Sequence, residues 1–295
     1  MTDTTTVLTG LHFAEAPTLG PDGHLYLSDF YAHEVLRVDV TDWSTTVVAT
    51  VEEQPSGLGW LADGSLLVVS MNDRRLRRLD PDGTLHDHAD LSGVARGSAN
   101  DMYVDQQGRA WVGDFGFDFY GLLRDEPDAD PLFGPDADPP TASIALVTSD
   151  GTVTRAAEGL QFPNGMVELS DGRLVVAETV GKCLTAFDVD GHRLINRRQY
   201  ADLRTAGPGG AAVLPDGICV DAEDGIWVSD PAGSGAVRIA GGEVRERVST
   251  SQPCFAVGLV GDQLVCCTAE SSNPNVAGTR RTGRLEVCTV TVPGP

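Results

Sequence analysis

The sequence predicts an all-β fold, a six-bladed β-propeller closed by N- and C-terminal strands in the last blade. Three observations carry this expectation. A tight-turn signature recurs six times along 295 residues. Each copy is followed by a second β-rich run, and the polar residues ahead of the turns keep a common register. Short strands repeating with a period of about 40–50 residues are the mark of a propeller, whose blades are small antiparallel sheets around one axis. Two stacked sandwiches, the alternative, would not impose a shared register.

The turns, in order, are Pro21-Asp22-Gly23, Ala62-Asp63-Gly64, Gln106-Gln107-Gly108, Ser170-Asp171-Gly172, Glu223-Asp224-Gly225 and Val260-Gly261-Asp262. Asp-Gly between two apolar runs is a strong hairpin signal because glycine takes the left-handed conformation at no steric cost. The second runs are 34–40, 74–79, 143–148, 183–189, 236–240 and 284–292. Residues 3–9 and 285–292 are both β-prone, and pairing them in the last blade would remove the open edge of the ring. One domain spanning 1–295 is expected, since closed all-β folds often reach this length.

Counting eight residues back from the turn glycine leads from Gly23 to Glu15, from Gly64 to Ser56, from Gly108 to Asn100 and from Gly172 to Asn164. In the fifth copy Asp216 lies nine back from Gly225, read as one extra turn residue, and the sixth copy leads to Pro253 or Cys254. The first strand of each propeller blade lines the channel, so Glu15, Asn100, Asn164 and Asp216 are expected to converge on the axis. Carboxylate and amide oxygens together are hard-cation donors, so the expected cofactor is one divalent cation, calcium first, with zinc, manganese and magnesium as alternatives. Asn and Asp at strand starts also form turns, but four copies in register and a glutamate, a poor turn residue, favour the ion site.

The remaining features narrow the partners. A net charge of −22 argues against nucleic acid and anionic membranes, leaving a small-molecule substrate; the sequence does not set the oligomeric state. No apolar run reaches about 18 residues, the length of a membrane span. No secretory leader is evident, and the six cysteines lack metal-type spacing, so a reducing, cytoplasmic setting is expected. His86-Asp87-His88 reads as a solvated outer strand, and Gly207-Pro208-Gly209-Gly210 as a connector without the Lys-Ser/Thr of a phosphate cradle. No Gly-x-Ser-x-Gly elbow supports a serine hydrolase. Two connections on the expected ligand face are long, 114–140 and 269–283. In the first, Phe115, Phe117, Phe119 and Tyr120 suit either a substrate-binding wall or a plug, while the acidic stretch 125–138 reads as solvation.

The segments Phe13-Ala14-Glu15-Ala16-Pro17, Ala99-Asn100-Asp101-Met102-Tyr103-Val104-Asp105, Phe162-Pro163-Asn164-Gly165-Met166 and Leu214-Pro215-Asp216-Gly217-Ile218 follow one another as in the SMP-30/gluconolactonase/regucalcin-like family, which the whole chain resembles. The resemblance implies a six-bladed propeller lactonase with metal ligands at Glu15, Asn164 and Asp216. It implies that Asn100 orients substrate or completes the metal shell. Asp216, at once ligand and nearest carboxylate, is the candidate general base, the alternative being a purely structural role with metal-bound hydroxide as the attacking group. Ala16 stands where the family usually has glycine, read as a small packing change. Sugar-lactone members carry an arginine two residues before the Asn of the second motif; here that substrate-binding position is Ser98. This departure points to a less polar lactone or related ester. A non-catalytic calcium-binding or scaffold propeller, a phosphotriesterase-like enzyme and a non-hydrolytic biosynthetic enzyme are the competing functions.

Overall fold

A computed structural model describes residues 2–295. The strands group into six antiparallel sheets arranged as a propeller. Blade one comprises Ala14–Leu19, Leu25–Asp29, Glu34–Val38 and Thr45–Thr50. Blades two to four repeat the pattern with inner strands Pro55–Trp60, Ala99–Val104 and Pro163–Glu168. Blade five starts at Ile218–Val220 and blade six at Cys254–Val260. In each blade the second strand is almost wholly buried, as in Leu66–Ser70 and Leu174–Glu178, whereas outer strands such as Leu85–Asp90 alternate toward water. His86 and His88 lie on that outer strand, and exposed His86 pairs with Asp80 at 2.9 Å.

Ring closure is as expected. Thr5–Leu11 pairs antiparallel with Gly283–Thr289 in blade six, while Thr2–Asp3 adds in parallel to Glu243–Ser249 of blade five. The N-terminal segment therefore straddles two blades. Buried Glu286 latches the junction by accepting from the backbone N–H (2.9 Å) and hydroxyl (2.5 Å) of Ser251 and from the hydroxyl of Thr268 at 3.1 Å. All six cysteines are free. Among the described residues no helix is long and apolar enough to cross a membrane.

The turns explain one irregularity of the repeat. Gly23, Gly64, Gly108 and Gly172 are left-handed with φ between 73° and 83°, but in the fifth turn that conformation belongs to Asp224, at φ 60°. Asp221 N–H bonds to Gly225 and Asp224 N–H back to Asp221, the same pattern that Leu61, Ser65 and Gly64 make in blade two. The fifth turn thus contains no extra residue. Asp216 lies eight positions before the left-handed residue, like its counterparts.

Candidate metal centre and cavity

The first strands would ordinarily alternate their side chains between faces. Instead, the pairing of the first and second strands breaks register beside the axial residue in blades one to four, between Glu15 and Thr18, Pro55 and Leu58, Ala99 and Met102, and Pro163 and Met166. Such a bulge re-aims the side chains beside it. Blade six breaks register after Cys254, which makes Phe255 its counterpart of Glu15 and Asn100. The expectation of Pro253 or Cys254 at this position is corrected: the two-residue turn at Gly261-Asp262 shortens the hairpin, so counting from it lands short. The axial set is Glu15, Ser56, Asn100, Asn164, Asp216 and Phe255.

A second set of acids, not anticipated from the sequence, holds these positions. The second strand ends on a buried carboxylate in the four blades that carry an axial acid or amide: Asp29, Asp114, Glu178 and Asp230. Blades two and six end instead on Ser70 and Thr268. Each acid accepts from backbone N–H groups just ahead of the axial residue. Asp29 takes His12 and Phe13 at 3.0 and 2.9 Å, Asp114 takes Arg96 and Gly97 at 3.3 and 3.4 Å, Glu178 takes Gln161 at 2.6 Å, and Asp230 takes Leu214 at 3.3 Å. The entering chain is thereby held at a set height over the axis. The signal was present in sequence, an acid closing the second strand in four copies, but it resembles ordinary strand-end polarity.

Glu15, Asn100, Asn164 and Asp216 line one cavity of about 170 Å³ on the axis, beside Thr179. Their amides are oriented by a hydrogen-bond chain: Ser56 Oγ donates to Asn100 Oδ1 (2.9 Å), Asn100 Nδ2 to Asn164 Oδ1 (3.0 Å), Asn164 Nδ2 to Thr179 Oγ1 (3.3 Å), and Thr179 Oγ1 to the Pro215 carbonyl (2.6 Å). The neighbouring Asn164 amide tempers the shift of the Asp216 carboxyl. Burial, reinforced by the charges of Asp216 and Asp101, pushes Glu15 well above the usual carboxylate range, and burial with Asp101 does the same to Asp216. Buried carboxyls raised in this way, with no basic side chain in the lining, suit a bound positive charge. The donor set, two carboxylates and two amides, is oxygen-only, so these residues fit a hard divalent cation. Among the described residues no group of three or more His, Cys, Asp or Glu gathers in metal-binding geometry; the amides supply the remaining donors here.

The rest of the cavity is aromatic. Phe13, Phe30, Phe115, Phe119, Tyr120, Phe133, Phe162 and Phe255 line it with Leu132, Leu214 and Pro231, and no basic side chain reaches it. Phe115 stacks on Phe162 at 4.4 Å, and Phe13 meets Phe255 edge-on at 4.7 Å. The segment after Asp114 is both wall and cover: Phe119–Asp125 forms a short helix, N-capped where Asp118 accepts from Gly121 N–H at 2.9 Å. It rests on a second short helix, Pro274–Ala277, through Asn275 Nδ2 to the Leu123 carbonyl at 2.8 Å. The stretch 125–138 does more than solvate the loop, because its Leu132 and Phe133 reach the cavity. Phe119 and Tyr120 line the cavity as expected, whereas half-buried Phe117 stands behind, 6.0 Å from Phe119. Ser98 does not line it either. Its carbonyl accepts from Phe115 N–H at 3.2 Å, and the residue faces a separate polar cleft with Arg96 and Arg124.

Ala16 carries a cost that a small packing change would not. It adopts φ 50°, and its N–H bonds to Glu15 Oε2 at 3.3 Å. The left-handed conformation costs a non-glycine residue about 1–2 kcal/mol. Strain thus sits beside an axial carboxylate, as it does at Phe162, φ 60°, two residues before Asn164.

Residues 13–269, most of the chain, match the model of the SMP-30/gluconolactonase/LRE-like region. The chain belongs to this family. Family membership supports a lactonase-type hydrolase. A gluconolactonase from Xanthomonas campestris superposes with a TM-score of 0.74 at 24% identity, covering 99% of this chain and 89% of that one. A luciferin-regenerating enzyme gives 0.79 at 18%, covering 99% and 97%. The calcium-binding protein regucalcin from Agrobacterium tumefaciens gives 0.75 at 20%, covering 100% and 96%. At these identities the likeness to the solved structures concerns the fold. No curated protein matches the chain by sequence.

Proposed function

We propose that this family member is a divalent-metal-dependent lactonase acting on a small, weakly polar lactone or related ester. The observation that carries the reading is a four-donor oxygen cluster at the floor of an otherwise aromatic cavity. Glu15, Asn164 and Asp216 would hold the cation, calcium by the all-oxygen donor set, with Asn100 completing or flanking the shell. When bound, the cation supplies positive charge that polarises a carbonyl and stabilises the oxyanion. Asp216 would receive the proton of the attacking water and return it to the ring oxygen as the acyl C–O bond breaks, which leaves the open hydroxy acid. No basic side chain lines the cavity to compete for that proton. Asn100 and Asn164, locked by the chain from Ser56 to Pro215, need no reorganisation when substrate arrives. The aromatic walls orient the apolar body of the substrate and exclude water. The free cysteines agree with a reducing cytoplasm.

The regucalcin relative keeps a purely calcium-binding role as the rival, and the apolar cavity would equally admit a phosphotriester. A panel of alkyl lactones, aryl esters and phosphotriesters, assayed with calcium, manganese, zinc and magnesium, separates them. We expect metal-dependent opening of an alkyl lactone that Asp216→Asn lowers at least about 100-fold, the usual range for removing a general base. Unchanged turnover in that variant would remove Asp216 from the mechanism, and metal binding without any turnover would favour the rival.

A further inference from the structure

Beneath the oxygen cluster the axis opens to the opposite face through a second cavity of about 480 Å³, lined by the inner strands of all six blades. Its innermost layer is the residue that follows each axial position: Ala16, Gly57, Asp101, Gly165, Gly217 and Ala256. Five of these carry no side chain beyond Cβ, because neighbouring inner strands nearly touch here. A Cβ on Gly57 would lie 2.6 Å from Met102 N, and one on Gly165 would lie 2.4 Å from Ile218 N. The sixth is a carboxylate. Asp101 is 8% exposed, lines this cavity and not the upper one, and accepts no hydrogen bond from any described residue. It is the only charged side chain in the lining.

Leu58, Trp60, Met102, Val104, Met166, Val257 and Leu259 make the wall around it largely apolar. Leu19, one of only four large hydrophobic residues left exposed among those described, also belongs to this lining, at 45% exposure. Asp101 faces this cavity with no hydrogen-bond donor and no basic side chain beside it, and a buried carboxylate is costly without a counter-charge. One carboxylate offers too few oxygens for calcium, which takes six to eight, and magnesium would have to keep its remaining waters against an apolar wall. A cation that brings its own apolar surface answers both needs, and the volume lies within the range of small-molecule sites. We propose that this second cavity binds an organic ammonium ion carried on an apolar body, with Asp101 as its counter-ion and the Trp60 and Tyr103 rings as part of its wall. The net charge of −22 favours its approach.

The test is calorimetric titration of the calcium-saturated protein with n-hexylammonium and with 1-hexanol, which share an apolar chain but not a charge. We expect one equivalent of hexylammonium to bind at least about ten-fold more tightly than hexanol. Asp101→Asn should erase that difference while hexanol binding persists. Leu19→Lys, at a position already 45% exposed at the strand end, should also weaken binding of the ammonium ion by like-charge repulsion, so the proposal stays testable if the first variant misfolds. Equal binding of the two probes would overturn the site. So would undiminished ammonium binding in either variant, or a second equivalent of calcium that Asp101→Asn removes. The readout is binding rather than turnover, so failure here is distinct from failure of the lactonase reading.

Discussion

Adding hydroxyl groups to the substrate should cost this protein dearly, and the cavity gives the size of the effect. Its polar side chains are largely committed: both ends of the Asn100 and Asn164 amides are used, and Thr179 Oγ1 both donates and accepts. Outside the oxygen cluster, Tyr120 and Ser272 are the lining residues with hydroxyls free to meet a ligand. Glucono-δ-lactone carries more hydroxyls than these two can satisfy. Leaving about two of them buried and unpaired costs about 1–3 kcal/mol each, or about 2–6 kcal/mol together. In kcat/KM that is a factor of about 30 to 10⁴ against an alkyl-substituted δ-lactone. Steady-state assays of the two lactones under one metal concentration measure it directly. If glucono-δ-lactone were turned over as well as the alkyl lactone, the cavity would have to open to water during catalysis, and the argument from its aromatic lining would be wrong.

Calcium at a hundred times its Kd should stabilise the protein by about 2.7 kcal/mol, seen as a rise in Tm of about 5 °C at this chain length. At one fixed calcium concentration the rise should be larger at pH 8 than at pH 5. Glu15, Asp101 and Asp216 are raised in the folded state, Asp101 to about 7, so metal-free stability is full below the unfolded carboxyl range near 4 and falls as pH rises through the folded values. A calcium shift that shrank with rising pH would contradict this. Ala16→Gly should gain up to about 1 kcal/mol in denaturant unfolding, relief of the left-handed strain less the added chain entropy; a loss would mean that the strain is absent. Asp114→Ala strips the acceptor from Gly116 N–H (2.6 Å) and from Arg96, Gly97 and Ser143, so a loss of about 3–5 kcal/mol is expected, measured by the same unfolding. Deleting residues 1–11 removes the outer strand of blade six and exposes the edge of Gly283–Thr289; aggregate should appear on size exclusion where the intact chain gives none.

Much of this protein is legible in its sequence because a propeller writes one local pattern several times. The turn glycines, the apolar second strands and the eight-residue spacing to Glu15, Asn100 and Asn164 are short-range features, and repetition raises each of them above chance. The pairing of the two termini is legible for the same reason, since a ring that must close leaves the end strands one place to go. Other features depend on what stands across the axis. That Phe255 and not Pro253 or Cys254 joins the ring depends on a bulge in strand pairing, and that Ser98 turns aside depends on Phe115. The strain at Ala16, the helix at Phe119–Asp125 and the placing of Leu132 and Phe133 over the oxygens are likewise tertiary. Local propensity governs the few residues around a turn. A cavity is assembled from segments more than a hundred residues apart, and its polarity belongs to none of them alone.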